Sequence, residues 1–474
     1  MIKQKFKRNL VTNPILKSDS YKYSHFLQLK KKTNLISSYI EARSYPDDRP
    51  NYVVVAGNQM YMIEYLTEPF VMEHIDDAEL FCEMHGEPFN REGYEYILEK
   101  YNGYWPVEIE AVSEGTVLPT GNVVLQINNE DDKCAWVTSW LETQLLRGTW
   151  PTSNVATLTA NIRELIEDYI EVTSDDPDQL PFKLHGFGAR GVSGGDGART
   201  EVGAMIPFMG SDTVEAIAAA IQYYDSTDMP AFSIPAAEHA TITPWGRMFE
   251  ADAYENIIDA FGDKYHHYAI VSDSYNIFNA INNIYGTKLK EKILNSKGTL
   301  VVRPDSGYPP DVVLKCIEAL GDHFGYTMNS KGYKVLNPKV RVIQGDGIDY
   351  DMIKEILRLL AVNKWAIDNI AFGMGGAMLQ HHNRDTYGWA MKCSYTEVDG
   401  IGIDVYKDPI TDSGKKSKKG IQALIKEDGV FKTIRKEDLN GRKNYLVVVY
   451  SGCKIVKYYT MDEVRANFVA TFRK

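Results

Sequence analysis

The chain has 474 residues, 44% hydrophobic and 24% charged, globular proportions that exclude a disordered or fibrous protein and predict two domains rather than one core. A formal net charge of -12 argues against a nucleic-acid partner, whose phosphate contacts would require a basic face. Cys82, Cys134, Cys316, Cys393 and Cys453 lie far apart with no CxxC spacing, which excludes a disulfide framework or zinc motif and fits a reducing compartment.

The opening MIKQKFKRNLVTNP is positively charged but lacks the apolar run of a signal peptide, and no later run would span a bilayer. A cytoplasmic protein without a membrane partner is expected. Residues 107–127, VEIEAVSEGTVLPTGNVVLQI, alternate apolar and polar positions between turn clusters and predict short antiparallel strands. Further on, the apolar runs FKLH (182–185), AFSI (231–234), YAIV (268–271), TLVVR (299–303), VRVIQ (340–344) and NIAFG (369–373) each lead into Gly or Asp clusters and then a helical period. Their continuous apolarity predicts strands buried on both faces. Asp212–Tyr224, Trp245–Phe261, Pro310–Phe324 and Asp349–Leu360 are the predicted crossover helices. Residues 445–460 read as a hairpin turning near Ser451 and Gly452, followed by a helix from Met461.

This pattern predicts an α/β protein with an irregular (β/α) barrel over 176–390. A mixed α+β domain is built from both chain ends, 1–175 and 391–474. An open doubly wound sheet competes with the barrel, because βα repetition alone does not distinguish closure from openness.

Barrel enzymes place their chemistry where strands end and helices begin. Here those loops are GFGARG (186–191), PAAEH (235–239), SDSY (272–275), RPDSG (303–307), QGDG (344–347) and GMGGAM (373–378). Gly375 and Gly376 either cradle a phosphate on bare backbone N–H groups or simply make a tight turn. Arg303 and Asp305 either face a common ligand or form an ion pair on the rim. With Asp346, the carboxylates suit a ribose diol or magnesium carried by a pyrophosphate. His239, with Glu238 before it and Asp273 as an orienting partner, is either structural or a functional imidazole. The run KKSKK (415–419) is either a solvated loop or an anion-gripping flap.

These loops, together with SDSYK (18–22), ILEKYNGYWPVEIEAV (97–112), GSDTV (210–214), KCSY (392–395) and YKDP (406–409), resemble the nicotinamide phosphoribosyltransferase family over nearly the whole chain. The resemblance implies a type II phosphoribosyltransferase fold and a homodimer with shared active sites. The implied reaction joins nicotinamide to phosphoribosyl pyrophosphate, giving nicotinamide mononucleotide for NAD biosynthesis. Mg2+ accompanies the pyrophosphate, with no protein ligand assigned.

It further implies Phe187 as the platform for the pyridine ring, Tyr21 of the partner subunit on the ring's other face, and Arg190 and Ser233 beside it. Asp212 is implied to accept the carboxamide N–H and to disfavour nicotinate. Asp305 and Asp346 are implied at the ribose and reacting centre, and Arg303, Gly375 and Gly376 at the 5′-phosphate. The resemblance assigns Arg43, Arg384, Lys392, Lys407 and Lys415 to the pyrophosphate and its phosphate-bearing precursors. His239 is implied to be phosphorylated by ATP, with Asp273 and Glu238 nearby. Gly186, Ala189 and Ala269 depart from the larger or hydroxyl-bearing residues common around the base. Nicotinate phosphoribosyltransferase is the enzymatic alternative, separated by Asp212. A non-catalytic binding protein on the same scaffold is the other, opposed by the intact His239, Arg303, Asp305 and Asp346.

Overall fold

The computed structural model describes residues 2–408, 410 and 416–472. They form two compact units, one comprising 1–157, 219–227 and 383–474, the other 158–218 and 228–382.

In the second unit the strands Leu184–Gly186, Gly210–Ser211, His267–Val271, Thr299–Arg303, Val340–Gln344 and Ile370–Met374 form one parallel sheet. The strand Gly210–Ser211 lies at one edge and His267–Val271 at the other. Parallel bridges from Phe232 to Gly210 and from Ala236 to Ala269 join both edges to the segment 231–237, so the ring closes. The expected barrel is therefore present and the open sheet is not. The run AFSI does not become a regular strand, because Pro235 offers no N–H to a ladder. Its segment is held instead by Ser211 N–H to Phe232 O at 3.0 Å and Ala237 N–H to Ala269 O at 2.9 Å.

The buried stretches Tyr268–Val271 and Leu300–Val302 account for the unbroken apolar runs. Outside the ring, the helix Tyr350–Val362 buries Ile353, Ile356, Leu357 and Leu360, the three-and-four spacing of a one-sided apolar stripe. It begins where the Asp349 side chain accepts the Met352 N–H at 2.8 Å. The helix Pro309–Phe324 opens on prolines, whose missing N–H costs nothing in a first turn.

The other unit is built on a seven-stranded antiparallel sheet, ordered Ile401–Asp404, Ala390–Val398, Thr33–Glu41, Val123–Asn129, Val107–Val112, Leu446–Ser451 and Lys454–Ile455. Both chain ends thus contribute to one sheet. Its core includes Trp105 stacked on Trp140 at 4.5 Å between ring centroids. The final helix, Met461–Thr471, starts on a capping box between Thr460 and Glu463.

The boundaries at 157/158 and 382/383 differ from those predicted at 175/176 and 390/391. The helix Glu142–Thr173 runs through the first boundary without a break that composition could reveal. Residues 219–227 join the sheet unit because Tyr224 is buried there, its hydroxyl donating to Glu114 at 2.7 Å and its carbonyl accepting from Met461 N–H at 2.9 Å. Among the described residues no helix is long and apolar enough to cross a membrane.

Candidate active site

The barrel's parallel register sends the six polar loops out of the same ends of its strands. Phe187 follows the strand Leu184–Gly186, and its N–H is fixed by Met374 O at 3.1 Å. Its ring lies over the neighbouring strand ends at Gly345 and Gly373. A Cβ at Gly345 would come within 2.5 Å of the ring, and one at Gly373 would overlap it. Glycine at these two positions lets an aromatic plate lie across the mouth of the barrel.

Asp212 emerges from the adjacent strand, its N–H donating to Gly186 O at 2.7 Å. The Ser233 hydroxyl donates to its carboxylate. The expected base-binding residues Phe187, Asp212 and Ser233 therefore rise from adjacent segments of the ring. Arg190 stands exposed in the single turn Ala189–Gly191.

A second cluster is centred on Asp273, whose side chain is only 5% exposed. His239 Nε2 lies 2.9 Å from its Oδ1, while Oδ2 accepts the Ser306 hydroxyl at 2.5 Å and the Asp305 N–H at 3.1 Å. Burial raises the carboxyl pKa, but the donors from Ser306, His239 and Asp305 outweigh it and hold the group below its ordinary value. An ionised Asp273 accepts only, so the geometry assigns the imidazole proton to Nε2 and leaves a lone pair on Nδ1. That Nδ1 lies 3.8 Å from Asp305 Oδ2, which is also 3.8 Å from Arg303 Nη2. Glu238, adjoining His239, is exposed.

Arg303 Nε is buried and donates to no described protein atom, a poised cationic donor. Asp346 follows the neighbouring strand, whose register of Val342 with Val302 brings Asp305 and Asp346 out side by side. Gly375 caps the short helix Gly376–Leu379, with Met378 N–H donating to Gly375 O at 3.0 Å. The barrel loops thus gather the predicted His239, Asp273, Asp305 and Arg303 into one connected cluster. Ser306 went unrecognised in the sequence reading, although RPDSG itself contains it.

In the sheet unit, Lys392 sits opposite Tyr39 in the strand pair and within electrostatic reach of Arg43 and Lys407. Burial lowers the Lys392 pKa, with those two cations adding to it and Glu142 and Glu41 opposing. Arg43 Nε donates to Gly388 O at 2.9 Å. Lys407 N–H donates to Ser417 Oγ at 2.8 Å. Arg384 is exposed and pairs with Asp385 at 3.1 Å, and Tyr21 is exposed beside His25. Lys415 lies outside the described residues. Arg43, Lys392 and Lys407 thus form one cationic group, and Arg43 is tied to the turn that carries Arg384 through Tyr387 O and Gly388 O.

The nicotinamide phosphoribosyltransferase N-terminal domain model matches residues 13–109, and the nicotinate phosphoribosyltransferase family model matches 182–449. The chain is 44% identical over 463 residues to the nicotinamide phosphoribosyltransferase of Xanthomonas campestris pv. campestris, covering 96% of this chain and 98% of that protein. It is 30% identical to the Acinetobacter baylyi protein of the same name, over 77% of this chain and 76% of that one. Among solved structures, Pyrococcus furiosus nicotinate-nucleotide pyrophosphorylase aligns with a TM-score of 0.62 at 16% identity, covering 98% of this chain and 96% of that one. Human nicotinic acid phosphoribosyltransferase aligns with a TM-score of 0.55 at 16% identity, over 96% and 93%. These likenesses give the fold, that of the type II phosphoribosyltransferases, and the sequence matches give the family. With its barrel, its aromatic plate and its His–Asp cluster, the chain belongs to the nicotinamide phosphoribosyltransferase family.

Proposed function

We propose that the protein transfers the phosphoribosyl group of phosphoribosyl pyrophosphate to nicotinamide, giving nicotinamide mononucleotide and pyrophosphate for NAD biosynthesis. The observation that carries this reading is the Phe187 ring laid over Gly345 and Gly373, with Asp212 on the adjoining strand end. Stacking on Phe187 orients a flat heterocycle, and Asp212 accepts from a carboxamide N–H while repelling a carboxylate. The pyridine nitrogen attacks ribose C1 as the C1–O bond to pyrophosphate breaks, through a transition state with oxocarbenium character. The electron pair of that bond leaves on the pyrophosphate, and the new C–N bond makes the pyridine cationic.

The chain's own contribution is charge and position. The buried Arg303 Nε supplies a donor for a phosphate oxygen, and the backbone N–H groups of Gly375 and Gly376, in the same unit, supply others. Arg43, Lys392 and Lys407, with Arg384 and Lys415, supply positive charge for the pyrophosphate. Mg2+ enters as part of that substrate. Asp305 and Asp346, on neighbouring strand ends, are the carboxylates available to it and to the ribose hydroxyls.

ATP coupling is a further element of the proposal. With Nε2–H held by Asp273, Nδ1 of His239 attacks the γ-phosphorus, forming an N–P bond as the P–O bond to ADP breaks. Glu238 flanks this histidine. We assign the active form as a homodimer in which the partner subunit's Tyr21 covers the pyridine. Five free cysteines fit work in the reducing cytoplasm.

The test is a mononucleotide-forming assay with nicotinamide and nicotinate in competition, with ATP present and absent. A preference for nicotinate would replace this reading with nicotinate phosphoribosyltransferase. No release of pyrophosphate from phosphoribosyl pyrophosphate with either base would leave a binding protein. His239→Ala is expected to abolish coupling to ATP and keep basal synthesis, whereas full coupling in that variant would refute the phosphohistidine.

A further inference from the structure

Glu201 lies in the turn Thr200–Met205, has 0% exposure, and carries no role in the chemistry above. Its carboxylate accepts the Ser211 hydroxyl on Oε1 at 2.6 Å and the Thr213 hydroxyl on Oε2 at 2.6 Å. The Gly188 backbone N–H is near enough to favour its ionised form. Ser211 Oγ in turn accepts the Thr213 N–H at 3.0 Å. One buried side chain therefore holds the residues on both sides of Asp212.

The same carboxylate explains a glycine. A Cβ built on Gly186 would overlap Glu201, so Glu201 fills the space that a side chain at 186 would take. Gly186 pairs with Ser211 in the parallel sheet and accepts the Asp212 N–H, so this contact lies at the junction of the two loops.

We infer that Glu201 is a positioning residue that determines base specificity: its carboxylate sets the Phe187 and Asp212 loops in register and places a second negative charge behind Asp212. The inference rests on the nicotinamide reading of the site. A hydroxyl donates to each carboxylate oxygen, which suits the ionised, acceptor-only form. Burial raises its pKa and nearby Asp212 adds to this, against the hydroxyls of Ser211 and Thr213 and the Gly188 N–H. A carboxylate-bearing pyridine at Asp212 would meet both charges, while an amide meets a fixed acceptor.

The test uses Glu201→Ala, Glu201→Gln, Gly186→Ala and the double variant Gly186→Ala/Glu201→Ala. Each is assayed for kcat and KM with both bases and for thermal unfolding. Glu201→Ala is expected to raise the KM for nicotinamide about tenfold, and Glu201→Gln, which keeps shape and most hydrogen bonding, to recover most of that loss. Glu201→Gln is nonetheless expected to lower the amide-to-acid ratio of kcat/KM about tenfold, which a packing role would leave unmoved. Gly186→Ala is expected to lower Tm in the wild-type background and to cost little once Glu201 is alanine.

A wild-type ratio in Glu201→Gln, with the parent enzyme active on nicotinamide, would overturn the specificity role and leave the reading of the site intact. Equal damage by Gly186→Ala in both backgrounds would overturn the shared space. A parent protein inactive on both bases would overturn the site reading and the specificity role together, while the Tm cycle still reports on the Gly186–Glu201 contact.

Discussion

Asp273→Asn replaces a carboxylate that receives three donors with an amide that has one acceptor oxygen. Placing that oxygen where Ser306 and Asp305 donate satisfies two of them and turns the NH2 toward His239. The imidazole must then accept through Nε2, which moves its proton to Nδ1 and removes the lone pair that the proposed phosphoryl transfer requires. Restoring the productive tautomer would set donor against donor in a site 5% exposed, at a cost of about 2–3 kcal/mol. Phosphoryl transfer to the protein is therefore expected to slow about 100-fold, since 1.4 kcal/mol is a factor of ten. The assay is rapid-quench transfer from labelled ATP to acid-labile, alkali-stable protein phosphate, with circular dichroism to establish that the variant is folded. Incorporation within threefold of wild type would refute both the tautomer assignment and the role of Asp273.

Gly373→Ala puts a methyl group into the Phe187 ring and is expected to cost about 1–3 kcal/mol of stability, read in urea unfolding, and to raise the KM for nicotinamide. Lys183 is buried and donates to Ile367 O and Ile370 O, each at 2.8 Å, and burial pushes its pKa down to about 7 against the pull of Asp368. Between that value and the ordinary lysine value the unfolded chain holds a proton the folded chain lacks, so stability is expected to rise as pH increases from about 7 to 10. Denaturant titrations across that range should show the rise in wild type and lose it in Lys183→Met. If the partner subunit's Tyr21 completes the base site, mixing Tyr21→Ala with Phe187→Ala subunits should restore activity in mixed dimers that neither variant has alone.

The barrel was legible because its strands are buried on both faces, which leaves unbroken runs such as Thr299–Arg303 and Val340–Gln344 that the structure reproduces at the same bounds. The run AFSI was read as a strand because its apolarity matched the others. Proline chemistry at 235 decided otherwise. The rim loops were visible for a similar reason: RPDSG and SDSY concentrate polar residues directly after apolar ones. Ser306 was missed because its role depends on Asp273, 33 positions away in the chain. Glu201 was missed because nothing in GGDGARTEVGAM marks one acid as buried and the other as exposed. The boundary at 157/158 had no signal either, since it falls inside the continuous helix Glu142–Thr173.

The segment 231–237 completes the ring through two isolated bridges, whereas its neighbour His267–Val271 is locked to Thr299–Arg303 by a full ladder. Ser233 belongs to it, and Glu238 and His239 follow at once, so these groups ride on the stave of the barrel that forms no regular strand. Amide exchange there can proceed by a local opening that leaves the other staves intact. A seam of this kind lets the segment that bears His239 open locally without disturbing the strand ends at Gly345 and Gly373 on which the Phe187 ring lies.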